Sequence, residues 1–206
     1  MRFTRGARIV VLAASLLALS ASPASARTHV DPNTLNPPPP DFFNAVCETN
    51  GHDTICTLHF SDPDIVDEPS GIVCGGTELL FSQSRSVVGK RFYDGNGNLT
   101  QRHFRESFSG TVTNPDTGNT AVWVQHDTVI QNLGVPGDLS TGTTKITGLF
   151  TRAWAPGSGT IFTDAGTFLI DETAGEVIHS GGHHPLDDYF SGADPNALAP
   201  LCDALA

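Results

Sequence analysis

The sequence predicts an all-β fold: a single antiparallel up-and-down barrel of about eight strands with a short C-terminal helical tail. Three observations carry this expectation. Short runs of alternating apolar and polar residues recur along the chain, as in half-buried strands. Compact turn sequences separate them, such as DGNGN at 94–98 and NPDTG at 114–118. Their Gly, Asn, Asp and Pro residues supply the backbone angles of tight hairpins. Gly, Thr and Asn are plentiful, whereas runs of Lys, Glu or Ala are few, a balance that favours strands and turns over helices.

Residues 1–26 read as a signal peptide outside the fold. Arg2, Arg5 and Arg8 form a basic start, Ile9 to Leu19 an apolar run, and Ala24-Ser25-Ala26 a small-residue cleavage site. The apolar run is too short to span a bilayer. A secreted, extracellular protein is therefore expected, with no membrane attachment after cleavage. Residues 27–41, RTHVDPNTLNPPPPD, read as a Pro-rich flexible arm, because four consecutive prolines favour an extended spacer and exclude helix. Residues 42–206 are assigned to the barrel domain.

Without the leader, eight Lys and Arg stand against 22 Asp and Glu, a net charge of −14. Such a surface disfavours nucleic acid and anionic membranes. A small-molecule ligand is the expected partner. The four cysteines, Cys47, Cys56, Cys74 and Cys202, fit two disulfides in an exported chain. Three pairings exist, and the spacing alone does not choose. The turn-like ETNGHDTI favours Cys47–Cys56, with Cys74–Cys202 then tying the tail to the barrel. The alternative, a zinc site, lacks any CxxC spacing.

The expected strands are Thr54–Phe60, Gly71–Ser82, Ser86–Tyr93, Leu99–Val112, Asn119–Ile130, Thr143–Trp154, Thr160–Asp171 and Glu176–Ser180. SDPDIVDEPSG, between the first two, reads as an acidic loop. A meander of this kind avoids exposed edges by closing on itself, and eight strands enclose either packed side chains or one small ligand. An open two-sheet sandwich is the runner-up. Gly181–Asn196 reads as loop, and 197–206 as one or two helical turns pinned by Cys202.

The candidate site comes from assigning faces to the strands. Phe104, Glu106, Phe108 and Val112 share one face of their strand, and Val122, Val124, His126 and Ile130 share one of the next. Ile146, Gly148, Phe150, Arg152 and Trp154 do so on the third, and Phe162, Asp164, Gly166, Phe168 and Ile170 on the fourth. Glu106, His126, Arg152 and Asp164 thus each sit on the more apolar face. Buried charge is costly unless paired. The four are expected to form one acid–base cluster inside the barrel, with Phe104, Phe108, Val124, Phe150, Trp154 and Phe162 as ligand-binding walls. His179, His183 and His184 are the weak candidates for a metal, because no known ligand spacing is matched. No metal and no cofactor is expected. GxSxG and GxGxxG are both absent.

NAVCETNGHDTIC (44–56), GIVCG (71–75), YDGNGNL (93–99), GTVTNPDTGNT (110–120), TGLFTRAWAPGSG (147–159), DAGTFLID (164–171) and the closing GGHHP with Cys202 resemble small exported proteins of high-GC Gram-positive bacteria. That resemblance covers most of the mature chain and implies export and architecture, with no activity attached. The layout also looks like the allene-oxide-cyclase and dirigent barrels, which hold polar residues in a mostly apolar lumen. Their catalytic motifs have no residue-by-residue match, so their chemistry is an analogy of fold. The expected function is the binding of a small apolar or aromatic molecule in the lumen. The alternatives are a cyclase- or isomerase-type enzyme using the cluster, and an extracellular protein-interaction module.

Overall fold

A computed structural model describes residues 27–155, 157 and 159–206. The expected signal peptide lies outside these. The chain forms β1 (Thr28–Val30), β2 (Asn44–Thr49), β3 (Thr54–Cys74), β4 (Thr77–Tyr93), β5 (Leu99–Thr113), β6 (Thr120–Asn132), β7 (Thr143–Ala155), β8 (Gly159–Asp171) and β9 (Glu176–His183), then helices α1 (Pro185–Ser191) and α2 (Ala199–Leu205). The strands lie in one sheet in chain order, each antiparallel to the next. Among the described residues no ladder joins β9 back to β1. The sheet is therefore an open antiparallel meander, and the closure expected of a barrel is not made by strand pairing.

The turns follow their chemistry. At DGNGN the Asp94 carboxylate accepts the N–H groups of Asn96 and Asn98 at 2.9 and 2.8 Å. Between β3 and β4, Gly75 and Gly76 both have positive φ, 60° and 94°, as a two-residue hairpin requires. This Gly-Gly turn divides what reads in sequence as the single strand Gly71–Ser82. The acidic stretch 62–68 is not a free loop either. It stays within β3, whose pairing to β4 shifts register three times between Asp62 and Val73, so the strand bends there.

All buried strand residues project from one face. On β5 these are Leu99, Phe104 and Val112; on β4 they are Leu79, Val87, Arg91 and Tyr93; on β6, Ala121, Trp123, Asp127 and Gln131. Six neighbouring strands laid flat span roughly 24 Å at the usual spacing. Yet one cavity of about 220 Å³ is lined by residues of β3, β4, β5, β6, β7 and β8 together, so this face is strongly concave.

Its two ends are covered differently. At one end α1 and α2 bury Leu198, Leu201 and Leu205 against Ile72, Leu79, Trp123 and Phe162. The Tyr189 hydroxyl accepts the Val73 N–H at 3.0 Å, and Cys74–Cys202 ties α2 to the end of β3. At the other end lies the Pro-rich segment, which is docked on the sheet here. β1 pairs with β2, Leu35 is buried, and the carbonyls of Pro37 and Pro38 accept from the Arg91 guanidinium. Pro37 also accepts from the Tyr93 hydroxyl at 3.0 Å. Proline carbonyls with no competing N–H make good acceptors for buried donors, which is why a spacer-like composition packs here. Cys47 and Cys56 are directly opposed in the β2–β3 ladder and form the other disulfide. Both disulfides fit an oxidising, non-cytosolic compartment. Among the described residues no helix is long and apolar enough to cross a membrane.

Candidate functional site on the concave face

The structure separates the four ionisable residues expected to cluster. Glu106 and Asp164 project inward. His126 and Arg152 are exposed on the convex face, where His126 meets the Ser107 hydroxyl at 3.1 Å. On β6 the inward set is 121, 123, 125, 127, 129 and 131, so Val122, Val124 and Ile130 lie outside with His126. The more apolar face of β6 is the outer one, because the concave face is itself polar at its middle. On β7 the first half faces as expected. One extra residue at Phe150, between the pairs Leu149–Ala165 and Thr151–Asp164, then turns Arg152 and Trp154 outward, since one inserted residue reverses all later side chains.

The expected ligand walls divide accordingly. Phe104, Phe108, Phe150 and Phe162 face inward, whereas Val124 and Trp154 do not. His179 and His183 are exposed on β9. Among the described residues no group of three His, Cys, Asp or Glu side chains could hold a metal ion.

Three polar groupings occupy the concave face. The first is Asp164 with His184. Asp164 Oδ1 lies 3.0 Å from His184 Nδ1, and Oδ2 accepts the Leu186 N–H at 3.0 Å. His184 Nε2 lies 3.1 Å from the Gly181 carbonyl, and its ring packs on Phe168 and Phe150. A Cβ on Gly166 would come within 2.6 Å of His184 Nε2, so this glycine makes room for the imidazole. Both ring nitrogens already face acceptors, and neither is left for a substrate. The pair anchors α1 to β8.

The second grouping crosses the middle of the sheet. Glu106 and Asp127 are directly opposed on β5 and β6. Arg85 on β4 reaches both oxygens of Glu106 through one nitrogen, at 3.3 and 3.2 Å, and its guanidinium lies over the rings of Phe60 and Phe108. Gln125 donates to Asp127 at 2.9 Å. Burial is the main cause that pushes both carboxyls above their ordinary range; for Glu106 the opposed Asp127 adds to it, while Arg85 pulls the other way for both. Burial therefore outweighs the arginine.

A carboxyl whose folded pKa lies above its unfolded value contributes stability that is complete below the unfolded pKa and lost as pH rises through the folded one. Asp127→Asn keeps the shape and removes the ionisation. The variant is expected to be more stable than the parent at neutral pH and to lose less stability as pH rises through and above the ordinary carboxylate range. Urea unfolding at a series of pH values measures this. A pH profile parallel to the parent's would refute it.

The third grouping lies toward the Pro-rich segment. Arg91 and Arg102 are directly opposed on β4 and β5. They line a second cavity, of about 260 Å³, with Phe42, Phe43, Phe60 and Phe104. The sequence reading missed Arg85, Arg91, Arg102 and Asp127. Arg91 and Arg85 share their face with Val87 and Tyr93, and that parity was the available signal.

No protein-family model, no curated protein and no solved structure matches this chain.

Proposed function

We propose that this is an exported binding protein that holds a small apolar or aromatic molecule on the concave face, with the barrel-like enclosure completed by α1, α2 and the Pro-rich segment. The observation that carries the reading is the Trp123 side chain over the helix-end cavity. Trp123 is 9% exposed, and its indole N–H has no acceptor among the described residues. It lines the cavity of about 220 Å³ together with Phe81, Val112, Ala153, Phe162 and Leu201. A buried tryptophan N–H normally finds a partner, and a ligand oxygen would supply one. An apolar cavity of about 150 Å³ is enough for benzene, so a substituted single ring fits this volume. Binding is favoured over cyclase- or isomerase-type turnover because His126 and Arg152 point away from Glu106, and His184 has no free nitrogen.

The sequence has two tryptophans, and Trp154→Phe leaves Trp123 as the sole reporter. Benzyl alcohol does not absorb where indole is excited at its red edge, and it carries one acceptor on one ring. It is expected to shift Trp123 emission saturably. Adding Ala153→Leu, which fills the cavity, is expected to abolish that shift while the protein still unfolds cooperatively. A linear response, or an undiminished one in the filled variant, would sink the reading.

A further inference from the structure

The arm-end cavity carries a charge arrangement that the fold leaves unbalanced. Arg91 and Arg102 are cross-strand partners on the inward face, and like charges directly opposite one another destabilise a sheet. Arg91 is 3% exposed. Among the described residues its guanidinium reaches only neutral oxygens, the carbonyls of Pro37 and Pro38 and the Tyr93 hydroxyl. Arg102 makes no side-chain hydrogen bond among the described residues, and neither arginine has a carboxylate within ion-pair distance there. The one inward carboxylate at this cavity, Glu106, is already engaged by Arg85. The Nε–H groups of Arg85, Arg91 and Arg102 are all buried without an acceptor among the described residues.

Buried charge without a counter-ion is costly, and a buried donor left unpaired adds to that cost. Burial, with the neighbouring Arg91 charge adding to it, pushes the Arg102 guanidinium below its ordinary range, and Glu172 and Glu106 offset this only in part. A protein with a net charge of −11 has no shortage of carboxylates, yet among the described residues none lies within ion-pair distance of Arg91 or Arg102. The walls are aromatic. Phe43 stacks over Phe104 with centroids 5.9 Å apart and planes 20° from parallel, and Phe60 meets Phe42 and Phe43 edge-on.

We propose that this cavity is a second ligand subsite, selective for a small aromatic carboxylate. The carboxylate would take the free donors of Arg102 and offset the Arg91–Arg102 repulsion, while its ring lies among Phe43, Phe60 and Phe104. The planar fork of a guanidinium matches a carboxylate. About 260 Å³ suits one or two fused rings. The middle belt of Arg85, Glu106 and Asp127 divides this subsite from the helix-end cavity, so the proposal stands or falls apart from what that cavity holds.

The test compares 2-naphthoate with its neutral isostere 2-naphthalenemethanol by titration calorimetry on the intact disulfide-bonded protein. The acid is expected to bind at least tenfold more tightly than the alcohol. Arg102→Gln is expected to erase that preference while the unliganded variant unfolds at the same or a higher temperature, because a like-charge pair has been removed. Equal affinities for acid and alcohol would overturn the proposal, as would no binding of either. Competition by inorganic sulfate at the affinity of naphthoate would also overturn it, by showing a general anion site. The acid-to-alcohol ratio in the parent protein decides the matter even if the Arg102 variant fails to fold.

Discussion

Replacing Cys74 and Cys202 together by alanine is expected to lower stability by about 5 kcal/mol, as the chain-entropy treatment gives for a loop of this length. The bridge spans a sequence separation of 128, against 9 for Cys47–Cys56. The same treatment gives the short bridge roughly half that value, and its cysteines are already held opposite one another by the β2–β3 ladder. The long bridge has a further role. It joins α2 to the end of β3, on the far side of the concave face from β8, with which α2 also packs. Without it α2 still has Leu198, Leu201 and Leu205 in the core. It also keeps the bonds that Asn114, Thr117 and Asn119 donate to the carbonyls of Leu205 and Ala206. The helix is therefore expected to remain docked in the native state, with the loss appearing in the unfolding midpoint. For a chain of this size each kcal/mol moves the midpoint by about 2–4 °C, so a fall on the order of 10–20 °C is expected by calorimetry. The matching variant at Cys47 and Cys56 should fall by clearly less. Equal falls would show that loop length is not what sets the two contributions.

How far the sequence revealed this molecule depends on which physical signal each element carries. The hairpins around DGNGN and NPDTG were legible because turn chemistry is local, and so was the inward set of β5, where Phe104, Phe108 and Val112 follow a strict period of two. The Gly75-Gly76 turn was equally local, but the flanking apolar residues of GIVCGGTELLF read as one run. β6 misled for a different reason. Its inward residues are Trp123, Gln125, Asp127, Val129 and Gln131, and hydrophobic period picks the opposite set of Val122, Val124 and Ile130. A concave face with a polar belt inverts the usual rule. β7 carries no mark of its bulge, because the extra residue is Phe150, which suits either position. Its effect on Arg152 and Trp154 emerges only from pairing to β6 and β8. The docking of the Pro-rich segment depends on Arg91 and Tyr93, more than 50 residues away in sequence, and no local pattern records it. Of the expected cluster, Glu106 and Asp164 remain inward but in separate groupings, each with partners that period alone did not identify.

Asp164 is where a single substitution is expected to do most damage. Its side chain is almost wholly buried and serves two partners, the His184 imidazole and the Leu186 N–H. Leu186 stands in the first turn of α1, and the N-cap residue His184 makes no side-chain cap of its own. A carboxylate from β8 thus satisfies a helix N-terminus that the helix leaves open, and its charge suits that end of the helix. Asp164→Ala leaves the buried His184 Nδ1 and the part-buried Leu186 N–H without their partner, while His184 Nε2 keeps the Gly181 carbonyl. Leaving a buried hydrogen-bonding group without its partner costs about 1–3 kcal/mol, and this substitution strands two. Asp164→Asn retains one acceptor oxygen, so its cost should be smaller. Removing His184 as well should add little to Asp164→Ala, because the stranded partner is then gone. A double-mutant cycle of Asp164→Ala and His184→Ala, read by urea unfolding, is therefore expected to be strongly non-additive. Additive costs would mean that the two side chains contribute independently. The local consequence is also distinct from that of the disulfide. α1 carries Leu186 and Phe190 in the wall of the helix-end cavity and the Tyr189 hydroxyl that accepts from Val73. Loosening it opens that cavity while the arm-end subsite keeps its walls. In Asp164→Ala, benzyl alcohol should lose its effect on Trp123 while naphthoate retains its preference over the alcohol.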